Sequence, residues 1–201
     1  MSMILSLKQA PAATLDLLVA RPELAVTFWT NPDYKPPKTP SFVVWLTRLL
    51  GGYTPPVELP EAPKELARNG EKLDLDKAWH ALQWLLTQPK SMSEGDEWQV
   101  PPPEGFLLGA GIPIVGSDHG YGDERAASPA EVAAFDDLLK RTPWSELEAR
   151  FNAEALASAQ VYPDNWSDPN EADYVQQYYN KLKEFITDTR AEGLGVVIQL
   201  S

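Results

Sequence analysis

The chain has 201 residues, enough to bury a core without metal or disulfide staples, and it reads as one domain over 1–201. It has no cysteine, which excludes disulfides, thiol catalysis and zinc–thiolate sites and fits a reducing, cytoplasmic setting. Its 29 Asp and Glu against 17 Lys and Arg give a formal net charge of −12, which disfavours nucleic acid as a partner. The same charge keeps a protein in solution and speeds its encounter with a basic protein. The start, "MSMILSLKQAPAATLDLLVA", lacks the basic region and continuous apolar run of a signal peptide. No segment approaches the roughly 20 apolar residues that span a bilayer, so no membrane is expected.

Taken in chain order, "MILSL" (Met3 to Leu7) is β-compatible and predicts an N-terminal strand. A helix follows from about Ala12 to Val19, and Arg21-Pro22 breaks it. "NPDYKPPKTP" (Asn31 to Pro40) reads as a loop. Ser41 then caps a short buried helix that Gly51-Gly52 ends. With the second Pro-rich run that follows, residues at about 20–70 read as an elaboration on the core. "DLDKAWHALQWLLTQP" (Asp74 to Pro89) gives the strongest helix signal. Leu75, Ala78, Trp79, Leu82, Leu85 and Leu86 share one face, and Asp74 is placed to cap it. A second stripe, Asp76, His80, Trp84 and Thr87 with Gln83 beside it, lies about 100–180° away at about 100° per residue.

"FLLGAGIPIVG" (Phe106 to Gly116) is short and apolar and reads as a strand with bends at its glycines. Ser128, Pro129 and Glu131 form a capping box with proline at the first helical position, so a helix should run to about Arg141. Another helix follows Pro143 through Arg150, and Asn152 caps the next. Asp168-Pro169-Asn170-Glu171 repeats the start signal. It opens a long helix with Tyr174, Val175, Tyr178, Leu182, Phe185, Ile186 and Thr189 on one face, which Gly193 stops. "GVVIQLS" (Gly195 to Ser201) is a strand that needs a partner, for which "MILSL" and "IPIV" are the candidates. The sum is α+β: a helix-rich single domain packed on a small mixed β-sheet that includes both terminal strands.

Chemistry is sparse. No phosphate-binding glycine loop, GxSxG elbow or HExxH pair is present, so no catalytic residue and no cofactor is assigned. Two histidines remain as bases. His80 sits mid-helix, where a packed, hydrogen-bonded histidine is the ordinary occupant, and His119 sits in a turn. "SDHGYGDER" (Ser117 to Arg125) gathers Asp118, His119, Asp123 and Glu124 around Gly120-Tyr121-Gly122. Its spacing matches no calcium loop, and Asp and Gly are also what a tight turn requires, so no metal site is assigned. Tyr121 presents a ring to a partner or packs beneath the following helix, and Arg125 holds an anion or pairs with a nearby acid. In "VYPDNW", Tyr162 and Trp166 form a contact surface or cover a core edge.

"LDLDKAWHALQWLLT", "HGYGDERAASPAEVAAF", "RFNAEALASAQVYPDNW" and "YYNKLKEFITDTRAEGLGVVIQL" come in a fixed order. With Met1 and Met3, they resemble the YfbM-like family, a bacterial domain-of-unknown-function family, over roughly 1–20 and 70–200. The resemblance implies a small cytosolic α+β domain with no assigned activity. Its recurrent positions fall here on Asp76, Trp79, Tyr121, Gly122, Arg125, Tyr162, Pro163 and Trp166. The chain departs from the family at Gln83, where relatives often carry histidine, and in "GYGDER", where "GYGPAR" is common.

Two functions follow. One is a non-enzymatic interaction module, for instance an immunity-like protein that masks a toxin, with a basic protein as partner. The alternative is an enzyme or small-ligand binder whose pocket gathers Asp76, His80, Trp84, Tyr121, Arg125, Tyr162 and Trp166. The alternative requires those groups to converge.

Overall fold

The computed structural model describes residues 3–30, 66, 70–87, 100–118, 120–163, 165–168 and 170–201. The expected loop after Asn31 and the helix capped by Ser41 lie outside them. Among the described residues five strands form the sheet: β1 (Leu5–Ala10), β2 (Lys72–Asp74), β3 (Ile112–Pro113), β4 (Arg125–Ala127) and β5 (Gly195–Leu200). Their order is β2-β1-β5-β4-β3, with every pairing antiparallel, where the sequence reading had a mixed sheet. The fold is α+β, and both terminal strands belong to the sheet. Leu5 to Ala10 pair residue by residue with Leu200 to Gly195, and Ile4 and Ser201 exchange backbone hydrogen bonds at 2.7 and 2.9 Å. "MILSL" is therefore a direct partner of β5, whereas "IPIV" contributes only β3, one strand further out. The strand between them, β4, is three residues long and was not anticipated.

Helices cover both faces of the sheet, because both sets of alternating side chains are apolar. Leu5, Leu7, Val196, Ile198 and Ala127 enter the larger core cluster, and Ala10, Val197 and Ala126 enter the smaller. Over the smaller lie α1 (Ala12–Ala20), a 3-10 turn (Pro22–Leu24) and α2 (Ala25–Trp29). Leu24, Ala25 and Phe28 are buried there, so 22–29 pack as core instead of beginning an elaboration. Lys8 also points into this layer. Its ammonium donates to the Phe28 carbonyl and lies 4.5 Å from the Phe28 ring centre. Burial, and then the charge of Lys72, push its pKa down from the usual lysine value.

The other face carries α3 (Ala78–Thr87), α4 (Phe106–Gly109), α5 (Pro129–Arg141), α6 (Trp144–Glu148), α7 (Ala153–Ser158) and α8 (Glu171–Ala191). The six residues assigned to the apolar face ending in α3 are all buried. Asp74 does not cap α3. It ends β2, and its side chain closes a turn by accepting the Asp76 N–H at 2.7 Å. Phe106 to Gly109 form one helical turn where a strand was expected, and the stacked Phe106 and Phe135 rings, 4.2 Å apart, bind it to α5. The capping box at Ser128 forms as expected. Glu131 does more than complete it: Oε2 accepts from the Ser128 N–H at 2.8 Å and Oε1 from the Gly111 N–H at 2.7 Å. Burial alone would raise the Glu131 pKa. The N–H groups of Ser128 and Gly111, the Ser128 hydroxyl and the Arg125 charge outweigh it, and the carboxyl sits below its usual range. Asp136, fully buried on α5, accepts from Thr187 at 2.9 Å and Arg190 at 2.8 Å and so ties α5 to α8.

Candidate functional site

Of the seven residues singled out from the sequence, Asp76 lies in one neighbourhood and Tyr121 and Arg125 in a second. The first surrounds Asp76, which takes a left-handed conformation (φ +46°) in the turn that Asp74 closes. Aspartate tolerates this conformation better than most residues. The turn presents its carboxylate to α8, where Tyr174 donates to Oδ2 at 3.0 Å. The same hydroxyl accepts the Lys77 N–H at 3.3 Å. Burial, then the Asp76 carboxylate, push the Tyr174 pKa well above the ordinary phenol value. Asp76, Lys77 and Tyr174 line an open cleft of about 480 Å³ together with Pro163, Asn165, Asp168, Asn170 and Glu171. Among the described residues, Asp168 and Glu171 bring its carboxylates to three, against the one ammonium of Lys77. Burial and the neighbouring Asp168 raise the Glu171 pKa.

Behind this cleft, Tyr162 and His80 are joined. The Tyr162 N–H donates to His80 Nδ1 at 2.9 Å, and the His80 ring stacks on Trp79 with centres 4.7 Å apart. The Tyr162 hydroxyl accepts the Met3 N–H at 3.2 Å. His80 is buried, as a packed, hydrogen-bonded histidine should be. Trp166 is buried too, its indole donating to the Val161 carbonyl at 2.7 Å, which is the core-edge role rather than an exposed contact. Trp84 is half-buried against the main core.

Tyr121 and Arg125 belong to the second neighbourhood. Arg125 pairs with no acid within ion-pair distance among the described residues. Its Nε donates to the Ala110 carbonyl at 2.7 Å, and Nη2 to the carbonyls of Gly111 at 2.7 Å and Gly109 at 3.3 Å. The guanidinium fork thus collects the carbonyls at the end of α4, where a helix leaves acceptors unsatisfied. Tyr121 stands beside it at the rim of a second cleft, of about 330 Å³, whose floor is Leu5, Leu107 and Ile198. The turn before it is built as the sequence reading allowed. Asp118 Oδ1 accepts the N–H groups of Gly120 at 2.6 Å and Gly122 at 2.9 Å, and Asp123 Oδ1 that of Gly116 at 2.9 Å. Glu124 is buried and accepts from Gln199 at 2.8 Å. His119 lies outside the described residues.

The sequence reading missed Asp168, Glu171 and Tyr174 as cleft residues. The first two were read as a helix start and the third as core. The visible signal was the hydroxyl that Tyr174 carries at the first turn of its apolar face, which needs a polar partner where the ring is buried. Among the described residues no group of three or more His, Asp or Glu is arranged to hold a metal ion. No described helix is long and apolar enough to cross a membrane.

No curated protein matches the chain. Among solved structures it resembles YfbM from Escherichia coli, a protein of unknown function, with 13% identity, a TM-score of 0.53 and 98% of each chain covered. That likeness concerns the fold. The family model of a domain of unknown function, DUF1877, matches residues 1–199, and the chain belongs to that family.

Proposed function

We propose that this chain is a single-domain bacterial interaction module, acting in the cytoplasm without catalysis, that takes a basic segment of a partner protein into the cleft between Asp76 and Glu171. The observation that carries this reading is the imbalance of charge in an open site: among the described residues three carboxylates face one ammonium. The chain-wide charge of −12 would draw such a partner in. Tyr174 and the Asp74 turn hold Asp76 in place before anything binds, which lowers the ordering cost of binding. Burial and the Asp168 charge push the Glu171 pKa up, and the positive charge of an incoming ammonium or guanidinium would oppose that push. An immunity-like role, masking a basic toxin, is one form of this activity.

The test is a low-salt pull-down from native cells with the wild-type chain and with Glu171→Lys, which leaves two carboxylates against two cations at the cleft. The reading expects one stoichiometric, basic partner on the wild type and its loss with Glu171→Lys. Recovery of no partner, or of one indifferent to the substitution, would overturn it.

A further inference from the structure

The second cleft has a different chemistry. Leu5, Leu107 and Ile198 are each no more than 3% exposed and form its floor, and Leu200 adds a half-buried apolar wall. Among the described residues its lining contains one cation, Arg125, and one anion, Asp123. These two are not paired with each other, and among the described residues neither forms an ion pair within 4 Å. Each spends only part of its hydrogen-bonding capacity. Arg125 uses Nε and Nη2 on three carbonyls, leaving the two N–H groups of Nη1 without an acceptor among the described residues. Asp123 uses Oδ1 on Gly116, leaving Oδ2 without a donor among them. The Arg125 charge also reaches Glu131, but that carboxylate is occupied by Ser128 and Gly111.

A ligand matched to this cleft carries an anion for Nη1, a cation for Oδ2 and an apolar body for the leucine floor. At about 330 Å³ the space is at the small end of ligand pockets. We infer that the Tyr121–Arg125 cleft binds a zwitterionic α-amino acid with an apolar side chain, its carboxylate on Arg125 and its ammonium on Asp123. This site is independent of the acidic cleft and of any basic partner.

Titration of the labelled full-length chain by NMR tests it, with three probes that share one apolar body: L-leucine, 4-methylpentanoate, which lacks the ammonium, and 3-methylbutylamine, which lacks the carboxylate. Saturable binding of L-leucine is expected, with a dissociation constant at or below about 1 mM and shifts centred on Leu107, Gly122 and Leu200. Each half-ligand should bind at least tenfold more weakly. Asp123→Asn keeps an acceptor for the Gly116 N–H, so the turn should survive, and it should weaken L-leucine at least tenfold. No saturable L-leucine binding, shifts centred elsewhere, equal binding of a half-ligand, or indifference to Asp123→Asn would each overturn the assignment. Arg125 is kept wild type here because its loss would disturb the fold as well as the ligand.

Discussion

Arg125 is where a structural and a binding role are hardest to separate, and its substitution can be worked from the geometry. The residue makes two short bonds of 2.7 Å, to Ala110 and Gly111, and a longer one of 3.3 Å to Gly109. A hydrogen bond from a charged group contributes about 1.5–3 kcal/mol, and the partial exposure of Arg125 argues for the low end. Arg125→Met removes both short bonds and should cost about 3 kcal/mol. Ala110 is fully buried, so water can do little for its carbonyl. Arg125→Lys keeps the charge but replaces a planar fork by a single ammonium, which can serve one short bond, at a cost of about 1.5 kcal/mol. For a domain of this size about 1 kcal/mol moves Tm by roughly 2–4 °C. Calorimetry should therefore show losses of about 6–12 °C for Met and about 3–6 °C for Lys. Because the acceptors are carbonyls, the Met penalty should persist at about 1 M salt, where an exposed ion pair would be screened. Both variants melting within about 2 °C of wild type would refute the clamp. A Met penalty that vanishes in high salt would show that Arg125 works against an acid.

Two further outcomes are expected. Gly111 and Gly116 both have positive φ, +79° and +97°, but a Cβ on Gly111 would meet the Ala126 carbonyl atoms at 2.5 Å whereas one on Gly116 meets nothing within 4 Å. Gly116→Ala should cost about 1–2 kcal/mol for conformation alone and Gly111→Ala about 1–3 kcal/mol more for the clash, so equal denaturation midpoints would contradict the packing described. Lys8, whose folded pKa lies below its unfolded value, gives a pH dependence of definite sign. Above the folded pKa the unfolded chain binds the extra proton, so stability rises with pH until the unfolded value near 10.4 is passed. Denaturant midpoints of wild type and Lys8→Met should converge as pH climbs through that window, and a constant difference would exclude the buried ammonium as the cause.

Local signals in the sequence carried most of the fold. The capping box at Ser128, the cap at Asn152 and the apolar face of Leu75 to Leu86 were legible because each is fixed by neighbours within a few turns. Phe106 to Gly109 misled because a short apolar run has no period, and what decides it is tertiary, the stacking of Phe106 on Phe135. The strand Arg125 to Ala127 was invisible for the same reason: three residues with no alternation of their own pair with β5. The candidate site was legible as a set of residues and illegible as a geometry. Asp76 and Tyr174 are 98 positions apart, and nothing along the chain announces that they share a hydrogen bond.

The two clefts are joined by the first residues of β1. Met3 bonds Tyr162 through its N–H and Trp79 through its carbonyl, behind the acidic cleft. Two residues on, Leu5 accepts the Leu75 N–H at 2.9 Å, next to the Asp76 turn, while its side chain floors the apolar cleft. Of the seven residues that looked like one pocket in sequence, Asp76 lines one cleft and Tyr121 and Arg125 line the other, while His80, Trp84, Tyr162 and Trp166 pack in or against the core. A substitution in Met3, Leu5, Trp79 or His80 would disturb both and separate nothing. Glu171, on α8, lines the acidic cleft, and Asp123, in the turn before β4, lines the apolar one. Loss of a basic partner with Glu171→Lys while leucine still binds, and the converse with Asp123→Asn, is the double dissociation that two independent sites require. If both substitutions abolish both activities, the two sites are not independent, and the strand end that touches both clefts is where their coupling should be sought.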